Sequence, residues 1–227
     1  SWTLAGGTIT GGTITRSGGA ELGFSPSSSS SRLVNVIWPG DFNLSNGQVR
    51  IGGTWTFSGT ATIGNGTSGW MGFEDSPTIG AGTYTLYGGT LGMYGNGGAQ
   101  TLTLGASVTV QGSGYLGSYV GAGGVSGVLI NRGTIIIEGG SEQLHISPQT
   151  SFINTGLVQV KKGKLNVHTG WGNSDGGGAG TVQIGDGSGE GAISFDGSVT
   201  VSSGTFNLNN GSLGLYGTGG PQVLTIG

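Results

Sequence analysis

The chain has 227 residues, of which 55 are glycine, while charged residues make up only 7% and the net charge is −3. Disordered chains combine low hydrophobicity with high net charge, so a hydrophobic fraction of 33% with so little charge indicates a folded protein. Cysteine is absent, which excludes disulfides and cysteine-based metal sites, and the seven Lys and Arg residues form no basic stripe of the kind that binds nucleic acid.

The first residues, the apolar runs and the lack of cysteine limit the predictions about membrane insertion and location. No apolar run approaches the length of about 18 residues that a membrane-spanning helix requires, so we predict no membrane insertion by this segment. The chain begins at Ser1 with neither an initiator methionine nor a signal peptide, which predicts a fragment of a longer protein. The lack of cysteine fits a reducing compartment or an exported bacterial protein.

Short strands are predicted from the N-terminus onward, because apolar residues alternate with polar ones and no helical apolar face is found. A serine-rich stretch, SPSSSSS at residues 25–31, interrupts this pattern. It is either a linker or a loop that protrudes from the fold. We favour the loop, because AELGF before it and RLVNVIW after it both have the composition of strands.

Two stretches in the middle of the chain share one pattern, INRGTIIIEGG at 130–140 and INTGLVQVKKG at 153–163. Asn131 matches Asn154, and the alternating Ile and Val positions match at the same interval. The pattern predicts that the two stretches are successive rungs of one structure.

The C-terminal part shows a similar period through six apolar pairs. Every third pair recurs at nearly the same interval, which favours a solenoid over a hairpin-connected sandwich. The fold class is therefore predicted to be all-β, a parallel β-solenoid with three short strands and about 23 residues per coil. The pairs are Val182/Ile184, Ile193/Phe195, Val199/Val201, Phe206/Leu208, Leu213/Leu215 and Leu224/Ile226.

A longer repeat is superimposed on the coils. Residues 82–105 align without gaps to 204–227, with 14 of 24 positions identical at an offset of 122. GTATIGNG at 59–66 matches GTVQIGDG at 180–187 at an offset of 121. We predict one continuous solenoid over 1–227, cut from a longer protein with a 122-residue module, in which 59–105 is equivalent to 180–227.

These segments resemble the repetitive β-strand modules of very large exported bacterial proteins, similar to filamentous haemagglutinins and autotransporter passengers. The resemblance implies a right-handed parallel β-helix, export, and a cell-surface or secreted location, but no particular ligand. It is carried by WTLAGGTITGGTIT (2–15), RLVNVIWPGDFNL (32–44), LTLGASVTVQGSGYLGS (102–118), LINRGTIIIEGG (129–140) and FINTGLVQVKKGKLNV (152–167).

Four polar residues stand at intervals of one coil. In a solenoid, Asn131 and Asn154 are expected to stack as a structural ladder whose amides bond the backbone of the next coil. His145 and His168 are separated by the same interval and are expected on the surface. Aligning their strands pairs His145 with Asn166, so the imidazoles are predicted to be close without stacking directly, and no third ligand completes a metal site.

The carboxylates are candidates for catalytic pairs, because polysaccharide lyases and pectinase-like hydrolases share the β-helix fold. Glycosidic chemistry requires two carboxyl groups about 5–9.5 Å apart. Glu74 and Asp196 occupy equivalent repeat positions, which five coils separate by about 24 Å. Asp186 and Glu190 flank one loop, but no Arg or Lys accompanies these groups in the sequence. We predict no catalytic site.

Two glycine-rich stretches suggest calcium, NSDGGGAG at 173–180 and GDGSGEG at 185–191. Neither contains the Gly-Gly-x-Gly-x-Asp pattern of calcium-binding β-rolls in register, so we interpret them as metal-free turns and predict no metal or cofactor. Thr-x-Thr also recurs, but most of these pairs cannot share one face, which disfavours ice binding.

Outward aromatic residues are the candidate glycan contacts. Tyr94 and Tyr216 share a repeat position, and Trp171 lies in a glycine-rich stretch. Their rings can stack on the apolar faces of sugars, or simply cover strand ends.

The leading functional hypothesis is a non-enzymatic structural and adhesive segment of a large surface or secreted protein, which acts as a stiff rod displaying weak contact surfaces. Its expected partners are host or matrix glycans or surface proteins. The alternatives are a carbohydrate-active or glycan-binding β-helix and a self-assembling extracellular fibre subunit with end-to-end association.

Overall fold

A computed structural model of the protein describes residues 1–27, 31–66, 68–95, 98–119, 127–172, 179–201, 203–216 and 221–226. Every regular element in these ranges is a β-strand, and every strand pairing is parallel. The strands wind into a β-solenoid of about 9 turns with about 23 residues per turn, which confirms the predicted fold class.

Twenty-three strands lie within the described ranges. In chain order they are β1 (Trp2–Leu4), β2 (Gly7–Thr10), β3 (Leu22–Phe24), β4 (Ser31–Trp38), β5 (Phe42–Leu44), β6 (Gln48–Phe57), β7 (Thr60–Ile63), β8 (Trp70–Phe73), β9 (Thr78–Met93), β10 (Gln100–Tyr119), β11 (Gly127–Asn131), β12 (Thr134–Ile137), β13 (Gln143–Ile146), β14 (Ser151–Asn154), β15 (Leu157–Val160), β16 (Gly163–Val167), β17 (Gly170–Gly172), β18 (Thr181–Ile184), β19 (Gly191–Asp196), β20 (Val199–Val201), β21 (Thr205–Leu208), β22 (Ser212–Tyr216) and β23 (Leu224–Ile226).

Each turn passes through three parallel sheets, which we name A, B and C. Sheet A contains β2, β8, β13, β16, β19 and β22; sheet B contains β11, β14, β17, β20 and β23; sheet C contains β1, β3, β5, β7, β12, β15, β18 and β21. The long strands β4, β6, β9 and β10 bend around corners and contribute to more than one sheet.

The core fills the inside of the solenoid with rows of apolar side chains. Because strands pair in register and alternate residues point inward, each inward residue stacks on the equivalent residue of the next turn. One row of sheet A is fully buried from β6 to β19, and its members over that span are Val49, Met71, Leu91, Leu116, Ile146, Val167 and Phe195. Sheets B and C contribute corresponding rows.

Aromatic rings concentrate in the N-terminal half of the core. Trp55 is stacked on Phe57, with ring centroids 5.7 Å apart, and its indole Nε1 donates a hydrogen bond to the hydroxyl of Tyr84 at 3.1 Å. Tyr84 is fully buried, and this burial raises the pKa of its phenol above the ordinary value. Ala61 lies beside Tyr84 in the same row of sheet C, where its small side chain leaves room for the ring.

Strands at equivalent positions of the 122-residue repeat occupy the same sheets. Thr60–Ile63 and Thr181–Ile184 both lie in sheet C, and Trp70–Phe73 and Gly191–Asp196 both lie in sheet A. The chain passes through β9, β10, β13 and β16 of sheet A between the last two, which makes five turns. In the serine-rich segment, residues 28–30 lie outside the described ranges.

Candidate contact surfaces

Trp171 is not a surface residue, which corrects the prediction that its ring contacts a glycan. It is only 3% exposed and points inward from β17, where it pairs in register with Phe152. Its ring meets Phe152 and Phe195 edge to face, at centroid distances of 4.6 and 5.6 Å. The sequence signal was present, because Phe152-x-Asn154 is followed slightly less than one coil later by Trp171-x-Asn173. The glycine-rich surroundings concealed a short strand.

Tyr94 and Tyr216 lie on the outside of sheet A but differ in environment. The Tyr94 ring is half-buried between the Trp70 ring, at a centroid distance of 5.9 Å, and the Arg50 guanidinium, 4.1 Å from the ring centre. Tyr216 is 63% exposed, and the Lys164 ammonium lies 5.6 Å from its ring centre. Of these two tyrosines, only Tyr216 therefore presents most of its surface to a ligand.

Asn131 and Asn154 point inward from sheet B and are fully buried. The Asn131 amide donates to Asn154 Oδ1 at 2.8 Å and to the carbonyl of Leu157 at 3.2 Å, and its oxygen accepts the N–H of Gly133. Asn154 donates onward to the Thr181 carbonyl at 3.4 Å. Each amide thus satisfies backbone groups where one strand turns into the next, which is a structural role.

Glu74 has a different environment from the one expected, because two arginines accompany it. Arg32 donates from Nε and Nη2 to Oε2, at 2.9 and 2.5 Å, and Arg50 donates from Nε to Oε1 at 2.7 Å. The Glu74 side chain is only 5% exposed. These hydrogen bonds raise the pKa of Arg32 above its ordinary value. Both arginines lie in earlier turns than Glu74, and this distance along the sequence hid the contact.

Glycine makes room for this ion-pair group. Gly52 lies where an added Cβ would be 2.8 Å from Glu74 Oε2 and 2.9 Å from the Arg32 guanidinium, so any side chain there would displace the charges. We name the group of Arg32, Arg50, Trp70, Glu74 and Tyr94 the Glu74 cluster.

His145 and His168 are hydrogen-bonded to each other on the outside of sheet A. As predicted, the register pairs His145 with Asn166, yet His145 Nδ1 lies 2.8 Å from His168 Nε2. The ring planes are 8° apart and the centroids 5.1 Å apart. Since this separation is about the nitrogen–nitrogen distance plus two ring radii, the rings meet edge to edge through one shared proton.

An acidic and an aromatic residue extend this pair along the axis. His168 Nδ1 is hydrogen-bonded to Asp196 Oδ2 in the next turn, and the Tyr115 ring is stacked on the His145 ring with centroids 5.0 Å apart and a tilt of 24°. Burial, followed by the neighbouring His168, lowers the pKa of His145. We name the group of Tyr115, His145, His168, Asp196 and Lys164 the Asp196 cluster.

Asp186 serves as a turn former. Its Oδ1 accepts the hydroxyl and the N–H of Ser188 and the N–H of Gly189, at 2.8 to 3.0 Å. These bonds, the Ser188 hydroxyl first, lower the pKa of Asp186.

The acidic side chains and the glycine-rich stretches are the candidate calcium ligands. Within the described ranges, no group of three His, Cys, Asp or Glu side chains is arranged to hold a metal ion. Most of the stretch 173–180 lies outside those ranges.

The corner between sheets C and A, which we name the C–A corner, carries further polar residues. It comprises residues 45–47, 64–66, 87–89, 112–114, 138–142, 161–162, 185–190 and 209–211. In its middle, Glu138 pairs with Lys161, and Glu142 Oε2 accepts the N–H groups of Glu138 and Gly139 at 3.0 and 2.9 Å.

The first part of this corner contains an open groove that the sequence did not reveal. Tyr87 is 54% exposed in its middle, and uncharged polar residues surround it. We name this the Tyr87 groove; its lining residues are Asn43, Ser45, Thr62, Gly64, Asn65, Gly66, Tyr87, Gly88 and Ser113. The aligned repeat has Asn209 in place of Tyr87, and this departure was the available signal.

The threonines form a row on sheet C that intervals alone did not show. Thr60, Thr83, Thr109 and Thr134 are paired in register over four successive turns. In these four turns, only Thr60-x-Thr62 and Thr83-x-Thr85 place two threonines on this face, since Gln111 and Ile136 follow in the second row.

Comparison with protein-family models, curated proteins and solved structures found no significant match for this chain. In the part of the chain that the structure describes, no helix is long and apolar enough to cross a membrane.

Proposed function

We propose that the chain is a non-enzymatic structural and adhesive segment of a large exported bacterial surface protein. In this proposal, the solenoid is a stiff rod that holds weak contact surfaces at fixed spacings. The observation that carries it is the continuity of the inward rows, because no break in the core separates one set of turns from the next in the described ranges. The resemblance to exported repeat modules supports the location.

Stiffness follows from how the turns are joined. Parallel ladders bond successive turns in all three sheets, and the buried side chains form one continuous cluster from Phe24 to Val201. Bending such a rod would stretch backbone hydrogen bonds on one side and open the packed interior on the same side. The outer surface offers isolated aromatic, hydroxyl and amide groups, which suit many weak contacts rather than one strong one.

The rod is tested by small-angle X-ray scattering of the purified chain. About 9 turns at a strand spacing of about 4.8 Å give an axial length of about 43 Å for the solenoid. We expect a distance distribution that a single rigid particle of this length reproduces. A distribution that requires two bodies moving independently would contradict the proposal.

The adhesive part of the proposal is tested by comparing monovalent and tetravalent forms of the chain. The biotinylated chain is applied to surfaces coated with matrix glycans, as a monomer and as a streptavidin tetramer. We expect the tetramer to be retained at least about 100-fold more strongly, because linked weak sites gain avidity. Retention of neither form would contradict adhesion, while strong retention of the monomer would contradict weak contacts.

The absence of catalysis is tested with the same polysaccharides in solution. We expect no release of oligosaccharides over hours of incubation. Release that Asp186→Ala or Glu190→Ala abolishes would overturn the proposal in favour of a carbohydrate-active β-helix.

A further inference from the structure

The Tyr87 groove has the lining of a saccharide site. It crosses successive turns of the C–A corner, with one exposed ring at its centre and the side chains of Asn43, Ser45, Thr62 and Ser113 around it. These supply hydroxyl and amide groups, and none of the described lining residues is charged. A cleft with an aromatic surface and a few placed polar groups is the usual form of a small-ligand site.

Glycine gives the groove its floor. Gly64 and Gly88 have φ of +86° and +76°, a conformation that favours glycine. A Cβ on Gly64 would lie 2.5 Å from the carbonyl oxygen of Tyr87, so the two turns touch through bare backbone. Backbone without side chains therefore forms this part of the groove, and among the described residues no other aromatic ring packs on Tyr87.

The backbone of the floor is already bonded between turns. Gly64 N–H donates to the Leu44 carbonyl at 3.1 Å, and Gly66 N–H donates to the Tyr87 carbonyl at 2.6 Å. A peptide that added as a β-strand would need such groups unpaired. Recognition in this groove must therefore come from side chains, as it does for sugars, whose ring faces are apolar and whose edges carry hydroxyls.

Charge decides the class of saccharide. The next depression along the corner shares Tyr87 and is lined by Glu138 and Glu142. Glu138 is paired with Lys161, but the carboxylate of Glu142, which accepts backbone N–H groups, would repel a uronate or sulfated chain that ran along the axis from the groove, whereas a neutral chain meets no such penalty. Successive turns place their hydroxyl and amide groups about 4.8 Å apart, which suits a linear polymer.

We propose that the Tyr87 groove binds a neutral polysaccharide chain, with the sugar ring stacked on Tyr87. The inference rests on the proposed adhesive function and names its ligand class. It places the contact on a residue that the sequence did not select, and away from Tyr94 and Tyr216.

The test is affinity electrophoresis of the whole chain in gels that contain dextran, mannan, laminarin or xyloglucan, with alginate as the anionic arm. The variant is Tyr87→Asn, because the aligned repeat carries Asn209 at this position and the corner folds with it. The matched control is Tyr115→Asn, which makes the same change at a tyrosine of similar exposure that lies on sheet A, outside the groove. Circular dichroism melts establish that both variants are folded.

We expect at least one neutral polysaccharide to retard the native chain, a dissociation constant at least about fivefold higher for Tyr87→Asn, and no change for Tyr115→Asn. Retardation that survives Tyr87→Asn would overturn the groove while leaving adhesion through another surface intact. Retardation by alginate alone would overturn the assignment to neutral chains. Retardation by none of the five polymers, together with avid tetramer retention on matrix glycans, would overturn this inference but not the proposed function.

Discussion

The Glu74 cluster and the Asp196 cluster are built on equivalent positions of the two repeats, since Glu74 aligns with Asp196 and Tyr94 with Tyr216. Both place a cation two turns before the tyrosine, Arg50 at 4.1 Å from one ring and Lys164 at 5.6 Å from the other. The acidic residue lies in the turn between. The repeat thus fixes where the acid and the aromatic ring follow each other along sheet A. The cations come from different register positions, since Arg50 pairs with Gly72 whereas Lys164 pairs with Ala192, the counterpart of Trp70.

The two clusters differ in burial and in the partners of the acid. The Glu74 side chain is 5% exposed and is bonded by two guanidinium groups, which carry their charge at every physiological pH. The Asp196 side chain is 43% exposed, and its partner is His168, which in turn bonds His145. One cluster pairs its acid with two guanidinium groups, and the other pairs it with an imidazole that bonds His145, whose pKa is lowered by burial.

This difference shows how the repeat separates folding from surface chemistry. The inward-facing residues of the two copies are similar in type. The outward-facing residues differ, and they give the two surfaces different charges on the same backbone. Removing parts of each cluster should therefore have unequal consequences.

The largest expected effect is that of Glu74→Gln, which removes the carboxylate between Arg32 and Arg50. We expect a loss of about 2 kcal/mol in the free energy of unfolding, less than for a fully buried pair because both arginines are partly exposed. Urea denaturation measures it. Asp196→Asn, the matched change in the other repeat, is expected to cost less than about 0.7 kcal/mol, because exposed pairs contribute little. Equal losses would show that burial does not distinguish the clusters.

The next effect is that of Arg50→Lys. It keeps the charge, but a lysine cannot both bond Glu74 through a planar group and stack on Tyr94, so we expect a loss of about 1 kcal/mol in the free energy of unfolding. The control is Lys164→Arg, which we expect to be neutral or slightly stabilising, since arginine has the better geometry over Tyr216. A loss on Lys164→Arg as large as that on Arg50→Lys would contradict the role of ring stacking.

The coil was predictable because period two and the interval from one coil to the next are local properties of the sequence. The pairing of Asn131 with Asn154 could be predicted from the sequence alone, because both strands have the same alternation of inward-facing apolar residues. Trp171 could not be placed in the same way, because glycines flank it and the apolar alternation that defines a strand is reduced to one residue.

The charged clusters were hidden for a different reason. Glu74 meets two arginines from preceding turns, and turn lengths vary, so counting intervals does not bring the three side chains together. The Tyr87 groove exists because neighbouring turns carry glycines at positive φ, which leave the backbone there without covering side chains. The repeat interval of the sequence specifies neither the contacts that long side chains make between turns nor the shape of the surface at a corner.

Acidification should weaken the Asp196 cluster through His145. Burial and His168 lower the pKa of His145 in the folded state below that of the unfolded chain, about 6.5. The unfolded chain then takes up more protons as the pH falls below about 6.5, so the contribution of neutral His145 is complete above that value and is lost on acidification. The groups that face His145 are Tyr115, His168, Lys164 and Asp196.

We expect the native chain to lose more unfolding free energy between pH 8 and pH 5 than His145→Gln does, by an amount smaller than the effect of Arg50→Lys. Urea denaturation at four pH values measures the difference. His145→Gln keeps a hydrogen-bonding amide on the same rung and does not titrate. Parallel pH profiles of the two proteins would exclude His145 as the titrating group.

The smallest effect is expected from His168→Arg, which gives the second cluster the kind of partner that Glu74 has in the first. A guanidinium can bond Asp196 as Arg50 bonds Glu74, but the acid stays exposed, so the gain in unfolding free energy at pH 7 should be under about 0.5 kcal/mol. The bond from His168 Nε2 to His145 is lost at the same time, which offsets part of the gain. Added salt should remove what remains, because exposed charges are screened over about 10 Å at 0.1 M. A gain above about 1.5 kcal/mol that persists in salt would mean that partner chemistry, and not burial, makes the Glu74 cluster the stronger of the two.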